Sequence, residues 1–168
     1  MQRYLIPRIV NLAGVTAIAG LMGFGLYLQL FQELYPCNLC IFQRIAFIAL
    51  AATFLVAGIH NPERVGGRIY AAFVALFAIA GIVVAGRHVW LQHLPPDQVP
   101  ACGPSLDYML EVFPLSETIQ MVFEGSGDCA NVSWSFLGLS IPAWALVWFI
   151  GLGIVGTWVN LRGKLQST

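Results

Sequence analysis

Charge is what this chain has least of. Only 10% of its residues are Asp, Glu, Lys or Arg, against roughly a quarter in an ordinary soluble domain. Eight basic and eight acidic residues cancel to a formal net charge of zero, so no polyanionic partner is implied. There is no basic tail and no Lys/Arg-rich patch, which argues against nucleic acid. Cysteine is sparse too, with four residues in 168. The chain carries no long repeat and no low-complexity tract, and reads as one domain, 1–168.

What fills the space is apolar. Hydrophobic residues make up 58% of the sequence, and the few charges cluster, leaving long gaps. Ile9–Phe31, Ile69–Gly86 and Ile141–Val159 carry no charge, and Ile41–Ile59 carries only Arg44. A helix needs about 20 apolar residues to cross the hydrocarbon, and four segments meet that length. Lipid offers no partner for a free backbone N–H or C=O, so each must be helical. A transmembrane β-barrel would need alternating polarity, which these segments lack. Four buried helices of a soluble protein would read similarly, but 168 residues leave too little chain to cover them. Ala17-Ile18-Ala19 resembles a signal-peptide cleavage site, yet the apolar run continues to Phe31, well past a signal core of about 7–15 residues. The expectation is an all-α membrane protein. Four transmembrane helices at 9–31, 41–59, 69–86 and 141–159 form a bundle in the lipid bilayer. Loops 32–40 and 87–140 lie on one side.

Arginine and lysine set the orientation. Arg3, Arg8, Arg64, Arg68, Arg162 and Lys164 fall on one side, leaving only Arg44 and Arg87 elsewhere. That side becomes the cytoplasm and holds both termini. In the long outer loop, Leu106–Phe123 mixes apolar residues with acids at roughly helical spacing, interrupted at Pro114. It predicts one or two short helices on the membrane surface. Trp90, Trp134 and Trp144 flank the outer helix ends, where interfacial aromatics concentrate. Ala19/Gly23 and Gly81/Ala85 are small-xxx-small pairs suited to close helix approach.

All four cysteines fall outside: Cys37 and Cys40 at the mouth of the second helix, Cys102 and Cys129 in the long loop. An oxidising compartment is where disulfides persist. Of the three possible pairings, spacing favours 37–40 with 102–129 and leaves the others open. Pro36-Cys37-Asn38-Leu39-Cys40 is a C-x-x-C at a helix start, where free N–H groups and the helix dipole stabilise a thiolate. Arg44 lies one turn after Cys40 and shares its helix face. A charge inside a span is costly unless it snorkels to the interface. Arg44 therefore reads either as an anchor or as a group that favours the Cys40 thiolate and binds an anionic or carbonyl oxygen, such as a quinone head group. His88 lies at the outer end of the third helix. It is a second candidate at that site, or a satisfied interfacial histidine. A zinc site is disfavoured, because Cys102 and Cys129 stand 27 positions apart and give no second short-spaced pair; no metal is expected. Asn131-Val132-Ser133 fits a glycosylation sequon, a short pattern of little weight.

The stretches PCNLCIFQR at 36–44, RHVWLQHLP at 87–95 and SGDCANVSWSFLGLSIPAW at 126–144 resemble the bacterial disulfide-bond formation protein B (DsbB) family. Four spans in matching order extend the resemblance over nearly the whole chain. It implies a relay in the bacterial inner membrane, of which DsbA–DsbB–quinone is the known example. Cys102 would form the mixed disulfide with a DsbA-like periplasmic thiol–disulfide oxidase. Cys129 would attack Cys37, and Cys40 would be released facing a quinone from the membrane pool, ubiquinone or menaquinone. Arg44 and His88 would hold that quinone. The family often has an acid before the arginine; this chain has Gln43. Two alternatives stand beside this reading: an enzyme similar to vitamin K epoxide reductases, and a non-enzymatic scaffold with structural disulfides. A transporter finds no support, since no span carries paired acids or a broken-helix signature.

Overall fold

The computed structural model describes residues 2–62, 64–95, 97–101, 103–132 and 134–162. Four long helices dominate: α1 (Gln2–Phe31), α2 (Asn38–His60), α3 (Arg64–Leu91) and α7 (Ile141–Arg162). All four are long and apolar enough to cross a membrane. They form a closed ring in which α1 packs on α2 and α7, and α3 packs on α2 and α7. Between α3 and α7 run α4 (Leu106–Val112), α5 (Leu115–Glu124), α6 (Gly127–Ala130) and a hairpin of β1 (Ser135–Phe136) and β2 (Leu139–Ser140).

The helices outrun the charge-free gaps that announce them. Helix α2 starts at Asn38, with Cys37 as its N-cap residue, so both cysteines of the C-x-x-C sit in its first turn. It ends where Asn61 takes a left-handed conformation (φ 42°, ψ 59°) and its N–H caps Ala57 O. Pro62 follows, a helix-stopping arrangement with a defined cause. Helix α3 continues through Arg87 and His88 to Leu91. The charge there ends the hydrocarbon run without breaking the helix.

The core lies where small residues let helices touch. At Gly81 on α3, any Cβ would fall 2.3 Å from the Phe149 ring of α7. That ring stacks on Phe47 of α2 with centroids 3.9 Å apart. Gly153 and Gly156 on α7 leave similar room for Ala78 and Phe54. The Gly81/Ala85 pair thus sits at a helix contact. The Ala19/Gly23 pair does not: both residues are exposed, and Gly23 has no neighbour within 4 Å of a built Cβ. That pair faces outward, because α1 meets α2 and α7 along its other side.

Helices α4 and α5 bear out the short-helix expectation, with Pro114 as the N-cap residue of α5. They fold back onto the bundle as well as outward. Met109 and Val122 join Leu39, Leu91 and Cys129 in a second buried cluster, and Thr118 Oγ1 donates to Met109 O. The hairpin was not anticipated. Leu137 (φ 52°) and Gly138 (φ 79°) both occupy positive φ, the pattern of a two-residue primed turn. The trailing glycine was its only local signal.

Candidate functional site

One end of the bundle gathers the chemistry. In the first turn of α2, Cys37 and Cys40 lie with their sulfurs 3.1 Å apart. Helix α3 brings His88 against them, with Nε2 3.8 Å from Cys37 Sγ and Nδ1 4.0 Å from Cys40 Sγ. His88 is buried, and so is Gln43, whose side-chain nitrogen lies 3.1 Å from His88 Nδ1. A carboxamide offers both a donor and an acceptor, so Gln43 can serve either ring tautomer. The residue before Arg44 is thus a direct neighbour of the histidine.

Cys129 arrives from the loop. It is only 1% exposed, and Cys37, His88 and Cys129 present donor atoms all within 4.8 Å of one another. Two features hold it there. Arg87 donates from Nε to Phe123 O and from Nη2 to Glu124 O, capping the end of α5, where unsatisfied carbonyls attract a cation. Gly125 then turns at φ 89°, a conformation that favours glycine, and a Cβ there would lie 2.5 Å from Leu91 Cδ1. Within α6, Cys129 N donates to Ser126 O at 2.9 Å. The hydrogen bond with Cys37 and then burial push the Cys129 thiol well above the ordinary thiol range, outweighing the opposing contacts with Ser126.

Next to the sulfurs opens a cavity of about 650 Å³. Cys37, Cys40, Arg44 and His88 supply polar lining, and Met22, Leu28, Phe47, Trp144 and Trp148 supply apolar wall. Arg44 is half-buried, and its Nη1 donates to Gln29 Oε1 of α1 at 2.8 Å. Cys40 and Arg44 face the same cavity, as their spacing on one helix requires. Cys102, the remaining candidate, lies outside the described residues, as does Ser133 of the sequon. Gln29 was missed in the sequence and Gln43 was noted only as a departure from the family's acid, although an amide inside an apolar span was a visible signal for each.

A multi-pass membrane protein with a dithiol–histidine cluster at one bundle end belongs to the class of membrane thiol oxidoreductases. The family model for "Disulfide bond formation protein DsbB" matches residues 7–159. A disulfide bond formation protein B from Hahella chejuensis is 49% identical over 162 residues, covering 96% of this chain and 98% of the relative. One from Nitrosococcus oceani is 52% identical over 144 residues, covering 86% and 82%. One from Stutzerimonas stutzeri is 46% identical over 161, covering 96% and 99%. The chain belongs to the DsbB family, and its activity is bacterial disulfide bond formation as a disulfide-generating oxidoreductase. Membership displaces the vitamin K epoxide reductase-like and scaffold readings.

Proposed function

We propose that the protein re-oxidises a DsbA-type periplasmic dithiol protein and passes the electron pair, through two cysteine pairs, to a membrane quinone. The observation that carries this reading is the position of the C-x-x-C between two neighbours. Cys37 lies within 4.8 Å of Cys129, and both Cys37 and Cys40 line the cavity with Arg44. The pair therefore touches the loop cysteine through Cys37 and borders an apolar-walled slot with both residues.

The partner's first thiol attacks Cys102 and releases Cys129, and its second thiol resolves this mixed disulfide and frees Cys102, a role assigned from the family resemblance. Cys129 then attacks Cys37 Sγ, the Cys37–Cys40 bond breaks, and Cys40 leaves as a thiolate. Cys102 attacks Cys129 in turn, which restores the loop disulfide and frees the Cys37 thiol. Burial disfavours the Cys129 thiolate, so its attack needs a neighbouring base. His88 is within reach of both Cys129 and Cys37 and is assigned that proton. The Arg44 guanidinium favours the Cys40 thiolate and donates hydrogen bonds to an oxygen in the cavity.

The cavity fits a quinone ring by its donors and walls, with Arg44 and His88 as holding residues. When bound, a quinone supplies a two-electron, two-proton acceptor dissolved in the same membrane. The partner is itself a strong oxidant, which glutathione-level acceptors cannot regenerate. The excess of Arg and Lys at the opposite end assigns that end, with both termini, to the cytoplasm. The cysteines are then periplasmic and the membrane is the inner one.

The test is oxygen-free turnover of purified protein with a reduced thioredoxin-like dithiol protein and a soluble quinone. One quinone should be reduced per dithiol oxidised, and Cys37→Ser should reduce this to background. Dithiol oxidation at an unchanged rate without quinone would overturn the reading.

A further inference from the structure

We propose that Cys37, Cys129 and His88, when both thiols are reduced, form a binding site for Zn²⁺. The case rests on the donor geometry and needs neither partner nor quinone. Zinc binds thiolate sulfur at about 2.3 Å and imidazole nitrogen at about 2.0–2.1 Å, so tetrahedral donors stand roughly 3.5–3.8 Å apart. Here Cys37 Sγ and His88 Nε2 are already 3.8 Å apart, and the three donor atoms all fall within 4.8 Å. Closing the set needs side-chain adjustment of about 1 Å. The sequence argument against zinc weighed only cysteine spacing. The fold supplies the missing short-range donor from α3.

A polar side chain also stands behind the histidine. A metal-bound histidine commonly donates its other ring N–H to an oxygen, which fixes the tautomer and the ring. Gln43, only 4% exposed, places its amide nitrogen 3.1 Å from His88 Nδ1, and a half-turn of the amide on metal binding would bring its oxygen there instead. With its amide oxygen turned to that nitrogen, Nδ1 keeps the proton and Nε2 faces Cys37 with a free lone pair. Charge selects the ion. Two thiolates and Zn²⁺ sum to zero, which a buried site accepts, whereas Cu⁺ would leave one negative charge uncompensated. Sulfur and nitrogen donors exclude Mg²⁺ and Ca²⁺. The three donors leave a fourth position to water or to Cys40, whose sulfur lies 3.1 Å from that of Cys37, and the proposal requires only the three.

The site is redox-gated. A disulfide at Cys37 or Cys129 removes a donor, so Zn²⁺ binds only after electrons have filled both positions. Binding releases protons from the thiols and breaks no covalent bond. Its consequence for turnover rests on the function proposed above: Zn²⁺ holds the reduced enzyme out of the relay.

The experiment uses full-length protein in detergent, reduced and then freed of reductant. Co²⁺ is titrated as the spectroscopic stand-in, followed by Zn²⁺ against a chromophoric chelator. One metal per chain should bind, with a thiolate-to-cobalt charge-transfer band. X-ray absorption of the zinc form should fit at least two sulfurs and one nitrogen. Wild type oxidised beforehand should show neither, a control that needs no variant. Cys40→Ser should retain the band. Cys129→Ser and His88→Ala should lose affinity by tenfold or more, and Gln43→Ala by about tenfold to a hundredfold, as is usual for groups behind a ligand. No band in reduced wild type overturns the proposal. So does a band that survives in Cys129→Ser and His88→Ala but vanishes in Cys40→Ser, which would mean chelation by the C-x-x-C alone. Because these readouts involve no turnover, a zinc site in a protein that fails the quinone assay would leave this inference standing and remove the other.

Discussion

At one end of the bundle, Asn11 and Asn160 exchange two hydrogen bonds, at 3.2 and 3.0 Å, and Asn160 adds a third to Gly156 O at 2.8 Å. At the other end, Arg44 holds Gln29, Gln43 holds His88, and three sulfurs crowd the same histidine. Asn11 and Gln29 belong to the same helix, about 27 Å apart at the helical rise. Both ends tie α1 to a neighbour with a carboxamide. The Asn pair is buried and spends its bonds on itself and on Gly156 O. Arg44 of the Gln29–Arg44 pair lines a cavity, and among the described residues its guanidinium hydrogen-bonds to Gln29 alone. A polar pair inside a membrane protein can thus be a fastening or a site, and the adjoining space decides which.

Arg44 offers the sharpest way to break this contrast. Arg44→Ala should weaken quinone use by roughly tenfold to a hundredfold, the worth of one charge-assisted hydrogen bond at about 1.5–3 kcal/mol. Arg44→Lys should fall between, since it keeps the charge but loses the planar fork. Steady-state quinone titration reads the order. An unchanged KM and turnover in well-folded Arg44→Ala would make Arg44 an anchor, and the two ends would then be alike.

The Asn pair should respond in stability alone. Asn160→Leu strands the Asn11 amide and should cost about 0.5–2 kcal/mol, the range for polar pairs between membrane helices. Replacing both by leucine should recover part of that loss, because no partner is left unsatisfied. Thermal unfolding in detergent measures both, and activity per folded molecule should stay at the wild-type level. A change in quinone affinity would show that the ends are coupled.

The smallest effect concerns protons. With its pKa raised, Cys129 stays protonated at pH values where an ordinary thiol is partly ionised. In reduced protein its alkylation should lag behind a model thiol at pH 8 and climb as pH rises further. The native state holds this proton more tightly than the unfolded chain does. The resulting stability is complete below the ordinary thiol pKa and is lost as pH rises through the folded value. Cys37→Ser should restore part of the missing reactivity. Equal rates for Cys129 and the model thiol at every pH would refute the burial argument.

The four spans and the face shared by Cys40 and Arg44 were legible because lipid imposes length and the helix imposes period. Helix ends were not. Counting charge-free residues measures the hydrocarbon crossing, so Arg87 and His88 fell outside a helix that in fact runs to Leu91. The site's internal contacts were invisible for a different reason. Gln43 meets His88 across 45 positions, and no local pattern encodes that distance. Asn11 and Gln29 could have been singled out as the only carboxamides in the first apolar run. They were passed over because they carry no charge.

The cluster draws its donors from α2, α3 and the segment before α7, which gives it a schedule. A ribosome delivers Cys37 and Cys40 first, His88 some fifty residues later and Cys129 last. A growing chain therefore displays its C-x-x-C for a time with neither base nor partner thiol beside it. The donor set is complete only once the chain has reached Cys129, just ahead of the last helix, so a shorter copy lacks part of the cluster.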